Sequence, residues 1–400
     1  MSADRQKEVE RSVYRRMTIL LVGGGTAGHI SPLLAVAHEL KGHSKATQII
    51  YVGEKGSSFS DLASSSADID SVCTIWAGKF RRYANQSLFA KLFDLKTHVL
   101  NMRDLLRFVF GVFEAFKIVR ANRPNIVFIK GGFVGVPVGL VCRFMRVPYV
   151  THDSDIIPGL ANKIIARTAL LHAVAMPPER YPYPLHKTIF TGVPVSNSYA
   201  RVSFKQQKLF KDKVGVPKDS FLIFVTGGSQ GAKGLNDIVS QVAADILDIG
   251  KDVYLIHQVG RNKTVSYKNI KDKQLKHIIQ KDFIANMYEY TGAADVVVSR
   301  AGASTIAEMA IQAKACILVP SPHLAGDHQT KNAQFLHNIR AAVLLGQDEL
   351  KQSPKHLIGQ IKAFKQNDRM RQEYQAALHN LAEKRAAAKI ADLLLNYNSK

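Results

Sequence analysis

Thr18-Ile19-Leu20-Leu21-Val22-Gly23-Gly24-Gly25-Thr26-Ala27-Gly28-His29 carries an apolar, β-prone stretch straight into a glycine cluster. Glycines permit a tight turn and close approach of the backbone to a ligand, and a helix after them offers unpaired N–H groups to anionic oxygens. Pro32 is expected to open that helix, over Leu33 to Lys41, and His29 places a titratable ring beside the anion site. Phe221 to Asn236 repeats the arrangement, with FLIFVT running into GGSQGAKGLN. Two such strand, glycine loop and helix units, far apart in one chain, predict two Rossmann-like, doubly wound α/β halves facing a cleft.

A chain of 400 residues can bury a sizeable core in each half, and its 46% apolar and 22% charged content is that of a globular protein. Lys and Arg number 54 against 32 Asp and Glu, a formal charge of +22. That excess draws anionic lipid, nucleotide or nucleic acid without choosing among them. No zinc-finger or RNP-like motif accompanies it, so a nucleic-acid partner is not expected. Cys73, Cys142 and Cys316 are an odd, widely spaced set in apolar contexts, which reads as buried free thiols in a reducing compartment. Residues 1–16 are polar, carry both charge signs and read as a charged tail, not a secretory signal. Leu105 to Val119 is interrupted by Arg107, Glu114 and Lys117, too short and too charged for a spanning helix. The expected location is cytoplasmic, with a surface able to meet a membrane.

Short apolar runs at Ile49–Val52, Ile126–Ile129 and Pro148–Thr151 favour a buried parallel sheet in the first half. Phe221–Thr226, Val253–His257, Asp295–Ser299 and Ala315–Val319 supply a second, with crossover helices over Leu235–Ile249 and Thr305–Gln312. The connection between halves falls at about Val195 to Lys213, after Pro194. From Arg371 to Asn396 the chain lacks Gly and Pro and has strong helix propensity. Trp76 to Phe116 interleaves bulky apolar and basic groups, among them Lys79, Phe80, Arg81, Arg82, Phe89, Lys91, Leu92 and Phe93. Such a mixture suits an interface with anionic headgroups, and equally an ordinary amphipathic helix packed on its domain.

GGGTAGH, KGGFVGVP, HDSDIIPGLANK, GGSQGAKGLN, RAGASTIAE and DHQTKNA, in this order, closely resemble the MurG family over roughly residues 17–400. That family comprises UDP-N-acetylglucosamine:undecaprenyl-pyrophosphoryl-MurNAc-pentapeptide N-acetylglucosaminyltransferases of glycosyltransferase family 28. The resemblance implies a GT-B fold: an N-terminal acceptor and membrane-facing domain over residues 17–194 plus 371–400, and a C-terminal donor domain over 195–370. It implies UDP-GlcNAc as donor, undecaprenyl-linked lipid I as acceptor, and an anionic inner membrane met peripherally from the cytoplasmic face. It also makes the cell-wall synthesis machinery a candidate partner.

Residue by residue, Gly228, Ser229, Gln230 and Gly231 resemble the donor-phosphate loop, whose backbone amides and Ser229 hydroxyl can hold dispersed negative charge without an obligatory metal or cofactor. Glu308 matches the acid that accepts from the ribose, with Gly302, Ala303, Ser304 and Thr305 placing backbone near the diphosphate and sugar. Ile284 matches the position whose backbone meets uracil. His328 and Gln329 match the loop that reads GlcNAc, where Gln329 can both donate and accept. Thr26, Ala27 and Gly28 join the donor side, and Gly131 and Gly132 the acceptor side. His29 is the candidate general base, with Asp153 second and Asp155 beside it. Two departures from the family pattern stand out. HDSD replaces the common HEQN, turning an amide into Asp155, and GVPVS replaces GNPVR, putting Ser196 where a cation is usual. Asp153 and Asp155 form a D-x-D pattern that suggests a metal in a different glycosyltransferase fold, but their context here is the GT-B loop. The departures leave a related transferase for another lipid-linked surface polysaccharide as the alternative. An inactive nucleotide-sugar-binding scaffold is disfavoured by the intact His29, Ser229, Glu308 and Gln329. A Rossmann dehydrogenase leaves the second phosphate loop unexplained.

Overall fold

The computed structural model describes residues 17–24, 27–57, 60–78, 95–322 and 325–399. The tail 1–16, Thr26, and the basic and aromatic segment holding Lys79, Phe80, Arg81, Arg82, Phe89, Lys91, Leu92 and Phe93 lie outside the described residues. The chain divides into two compact units, one of residues 1–196 and 384–400, the other of 197–383.

In the first unit, β1 (Thr18–Val22), β2 (Gln48–Glu54), β3 (Ser71–Ile75), β4 (Ile126–Ile129), β5 (Tyr149–Asp153), β6 (Leu171–Val174) and β7 (Thr188–Phe190) form one sheet. The order is β3-β2-β1-β4-β5-β6-β7. Neighbours pair in parallel, Ile19 opposite Ile49 on one side and Ile126 on the other. Helices α1 (Ala27–His43), α2 (Ser60–Ser64), α3 (Leu95–Asn122), α4 (Gly135–Met145) and α5 (Leu160–Ile165) connect the strands. Strand β1 is apolar throughout because both its faces are covered. Ile19 and Leu21 enter one core with Leu33, Val36 and Leu40, whereas Leu20 and Val22 enter another with Val138 and Val141.

The second unit repeats the plan. After α6 (Phe204–Lys213) come β8 (Phe221–Thr226), α7 (Lys233–Leu247), β9 (Val253–Gln258), α8 (Asp272–Leu275), β10 (Ile278–Lys281), α9 (Met287–Ala293) and β11 (Val296–Ser299). Then follow α10 (Ala303–Gln312), β12 (Ala315–Leu318), α11 (His328–Asn338), β13 (Val343–Leu344), α12 (Gln347–Gln352), α13 (Lys355–Gln366) and α14 (Asp368–His379). The sheet order is β10-β9-β8-β11-β12-β13. In each unit the strand order therefore reverses direction beside the first strand, between β1 and β4 and between β8 and β11. A doubly wound sheet opens its ligand crevice at the carboxyl ends of those two strands.

Three expectations change. The first helix starts at Ala27, ahead of Pro32, which sits inside it; proline lacks only one amide rung, and the turn before it still forms. The Gly- and Pro-free C-terminal tract is not one helix returning to the first unit from 371. Leu378 of α14 is buried in the core of the second unit with Met309 and Leu318, so that helix stays there. Only α15 (Ala386–Leu395) joins the first core, through Ala387, Ile390 and Leu394. The helical run ends at His379 and resumes at Ala386. Cys142 and Cys316 are buried free thiols as expected, but Cys73, on the sheet-edge strand β3, is only half-buried.

Candidate active site

The first crevice is built by the segments that leave β1, β4 and β5. The Lys130 N–H donates to Val22 O at 2.9 Å and the Tyr51 hydroxyl to Gly23 O at 2.6 Å, fixing the loop after β1 against its neighbours. His29 rides on the first turns of α1. Gly132 adopts φ +79°, and a Cβ there would stand 3.7 Å from His29 Nε2 and 3.3 Å from Gly24 O, so glycine brings the β4 loop against the imidazole. Burial, and then the Lys130 charge, hold the His29 pKa at about 4. The ring is therefore neutral at pH 7, with one nitrogen unprotonated.

Lys130 is itself buried, its ammonium donating to Ser154 Oγ. Desolvation pulls its pKa down to about 8, against the opposing pull of Asp155 and Asp153. His152 Nε2 lies 2.9 Å from Gly192 O, and burial keeps the ring neutral, its pKa well below the ordinary value. Asp153 has both oxygens engaged: Oδ1 accepts from Gly159 N at 3.1 Å and Asn162 Nδ2 at 2.9 Å, and Oδ2 accepts from the Tyr183 hydroxyl at 2.8 Å. Burial raises its pKa, and these three donors oppose the rise. That arrangement makes Asp153 a tie between β5, α5 and the Tyr183 turn. Gly131, at φ +101°, passes close to the Asn162 amide, where a Cβ would lie 3.4 Å from Nδ2. Asp155 is half-buried, and its carbonyl accepts from the Tyr181 hydroxyl at 2.9 Å. Ser196 is exposed at the end of the first unit. Among the described residues no group of three or more His, Cys, Asp or Glu side chains could hold a metal ion.

The second crevice follows β8 and β11. Gly228 and Gly231 turn through φ +81° and +66°, and any side chain at 231 would collide with the Val259 carbonyl. The turn closes with Gly231 N donating to Gly228 O at 2.8 Å and Gly228 N to Thr226 Oγ1 at 3.0 Å. Ser229 is half-buried in this loop. Lys263 Nζ stands beside it, donating to Gln230 O at 2.7 Å, and the Arg261 backbone N–H donates to Ser229 O at 3.4 Å. The Arg261 guanidinium lies 4.3 Å from the centre of the Phe283 ring. The next residue, Ile284, puts its side chain into the core.

Gly302 caps α10, with Ala303, Ser304 and Thr305 in its first turn and Glu308 one turn further. Arg300 braces the strand ends, its guanidinium donating to Val319 O at 2.8 Å, Pro320 O at 3.0 Å and Gln347 Oε1 at 2.5 Å. Burial raises the Glu308 pKa to about 7, and a hydrogen bond from the Tyr199 hydroxyl opposes that rise. Gln329 Oε1 accepts from Ser321 N at 3.0 Å, which leaves its amide NH2 as the free-facing donor chemistry of that side chain. His328 opens α11, and its Nδ1 is buried with no hydrogen-bond partner among the described residues.

Residues 19–174 match the glycosyltransferase family 28 N-terminal domain, and residues 222–393 the C-terminal domain of the same family. A relative in Caldicellulosiruptor saccharolyticus, UDP-N-acetylglucosamine–N-acetylmuramyl-(pentapeptide) pyrophosphoryl-undecaprenol N-acetylglucosamine transferase, is 31% identical, with 84% of this chain and 86% of the relative covered. The chain belongs to the MurG family. A relative of the same name in Desulfotalea psychrophila is 29% identical and pairs 94% of this chain with 95% of its own. The crystal structure of Acinetobacter baumannii MurG superposes with a TM-score of 0.66 at 22% identity, covering 94% of this chain and 99% of that one. The MurG-family fold is thus the two-unit GT-B architecture. A UDP-GlcNAc 2-epimerase from Neisseria meningitidis bound to UDP-GlcNAc also shares it, with a TM-score of 0.63 at 12% identity over 95% of this chain and all of that one. Fold alone therefore does not choose the chemistry.

Sequence reasoning did not single out Tyr199, Lys130, Arg261 or Lys263. Lys130 had a visible signal, directly ahead of Gly131 at the end of an apolar strand. Tyr199 had none, because its partner Glu308 lies in a remote part of the chain.

Proposed function

We propose that this protein transfers GlcNAc from UDP-GlcNAc to the C4 hydroxyl of MurNAc in undecaprenyl-pyrophosphoryl-MurNAc-pentapeptide, converting lipid I to lipid II and releasing UDP. The observation that carries the reading is the pairing, in a MurG-family chain, of His29 at one strand-order reversal with the glycine loop and Glu308 at the other. The reaction is a single displacement with inversion, with oxocarbenium character at the sugar C1. His29, neutral at pH 7, accepts the proton of the attacking hydroxyl. Asp153 acts as a positioning residue for the loop facing His29. The amides of Gly228 to Gly231, the Ser229 hydroxyl and the first turn of α10 take up charge on the departing diphosphate. Lys263 supplies cationic charge beside that loop. Glu308 accepts from the ribose hydroxyls, the hydrogen bond from Tyr199 favouring its ionised form. Gln329 donates to a sugar hydroxyl, and the Ile284 backbone meets uracil.

The acceptor's lipid stays in the bilayer, so the first unit must come to the cytoplasmic face of the membrane as a peripheral protein. Among the described residues no helix is long and apolar enough to cross. Helix α3 supports attachment: Val99, Met102, Leu106, Phe110 and Phe113 recur along one stripe and are 55–64% exposed. Arg103 and Arg107 lie on the same helix, with the Arg107 guanidinium 5.1 Å from the Trp76 ring centre. A second reading, transfer to another lipid-linked acceptor, rests on Asp155, a carboxylate standing near Lys130 where the family commonly has an amide.

One incubation separates the two: purified protein with UDP-GlcNAc and lipid I, with and without chelator. Lipid II formed in chelator is the expected product. Folded protein that binds UDP yet yields no lipid II would move the assignment to a different acceptor.

A further inference from the structure

A cavity of about 440 Å³ lies in the first unit at the β6 and β7 side of the sheet, away from the β1/β4 crevice. Its floor is the buried pair His172 and Tyr183, rings stacked at 4.0 Å between centres. The floor is fixed: His172 Nδ1 lies 2.8 Å from Thr151 Oγ1, and the Tyr183 hydroxyl donates to Asp153 Oδ2 at 2.8 Å. Around it stand Lys163, Arg167 and Lys187, and no acidic residue lines the cavity. Among the described residues none of these three cations is seen in a salt bridge.

Three like charges facing one concavity repel each other, and low-dielectric walls focus their field onto whatever enters. A carboxylate would match one or two of them. A phosphate group, with several acceptor oxygens in a tetrahedral array, can meet all three: a fork from Arg167 and point charges from the lysines. The surroundings add a second feature. Leu160, Lys163, Ile164 and Arg167 are spaced to share one face of α5 and the turn after it, and Leu160 and Ile164 are 43% and 52% exposed. Leu185, 60% exposed, sits in the turn that carries Lys187.

We propose that this cavity binds a phosphate group at a place separate from both glycine loops, through side-chain cations instead of backbone amides. Inorganic phosphate and the headgroup of an anionic phospholipid share that chemistry. The site stands independently of the acceptor assigned above, since it uses none of the residues placed in the transfer reaction except Asp153, which touches only its floor.

The test uses the full chain, a Lys163→Gln/Arg167→Gln/Lys187→Gln variant, and a control with Lys251→Gln/Lys273→Gln/Lys276→Gln on exposed positions of the second unit. Calorimetry with inorganic phosphate at constant ionic strength forms one arm. Co-sedimentation with phosphatidylglycerol or phosphatidylcholine vesicles forms the other, and circular dichroism with a cooperative urea transition reports that the first unit of each variant is folded. Loss of phosphate binding by roughly tenfold or more in the cavity variant, with the control unchanged, supports the site. Loss confined to the phosphatidylglycerol arm also supports it and assigns the lipid as source. Equal behaviour of wild type and cavity variant in both arms, or an equal loss in the control, overturns it.

Discussion

His29 combines neutrality with a position against Gly132. His29→Ala should lower turnover by roughly 10²–10⁴-fold while leaving UDP affinity unchanged, as expected when a proton-transfer partner is lost. Turnover close to wild type under chemistry-limited conditions would remove the base assignment. Glu308 titrates differently. Its pKa near 7 means that ribose binding, which needs a carboxylate acceptor, strengthens as pH rises through neutrality. UDP affinity should increase roughly tenfold between about pH 6 and pH 8. In Tyr199→Phe the opposing hydrogen bond is gone, so the rise should move to higher pH; an unmoved profile would leave Tyr199 a packing residue only. Gln329→Glu keeps the acceptor for Ser321 N and deletes the donor. It should weaken UDP-GlcNAc and spare UDP, and calorimetry showing equal losses for both would end its role in reading the sugar.

At the scale of elements, the strands were the most legible part of the chain. Ile126–Ile129 and Phe221–Thr226 have the bounds their apolar runs indicate, because a strand buried on both faces is apolar at every position. The glycine loops were legible for a related reason: a left-handed turn packed against a carbonyl excludes other residues. Helix ends were less so. Neither the start of α1 ahead of Pro32 nor the break between α14 and α15 has a local signal; the second is set by which core receives Leu378 and which receives Ile390. Within the site, the sequence could name Asp153 but not its donors: Gly159 and Asn162 stand in the same HDSDIIPGLANK stretch yet reach the carboxylate only through the turn into α5, and Tyr183 comes from 30 residues on. Helix α3 carries a prediction of its own. Phe110→Asp with Phe113→Asp should reduce partitioning onto anionic vesicles without changing UDP affinity, and unchanged partitioning across a salt series would clear this face of a membrane role.

At the scale of the whole molecule, buried histidines link stability to acidity. Burial is the leading cause that brings His29, His172 and His257 to about 4 and His152 well below its ordinary value. Unfolded, each titrates near 6.5, so between those values the unfolded chain binds more protons. The stability that neutral burial confers is complete above about pH 6.5 and is lost progressively as pH falls toward 4. Glu308, with its raised pKa, acts with the opposite sign, so the urea midpoint of Glu308→Gln should drop between pH 7 and pH 5, and a flat midpoint in that variant would show that these rings are not held neutral.

The second unit is one uninterrupted stretch, whereas the first is completed only by α15. During synthesis the two therefore finish in the reverse of the order in which they emerge. The apolar flank of α1 waits through the whole translation of the second unit before Ile390 and Leu394 arrive to cover it. That interval is when a nascent chain of this kind is most exposed to misassociation, and a chaperone that holds the first unit until release would act on the flank that α15 later seals.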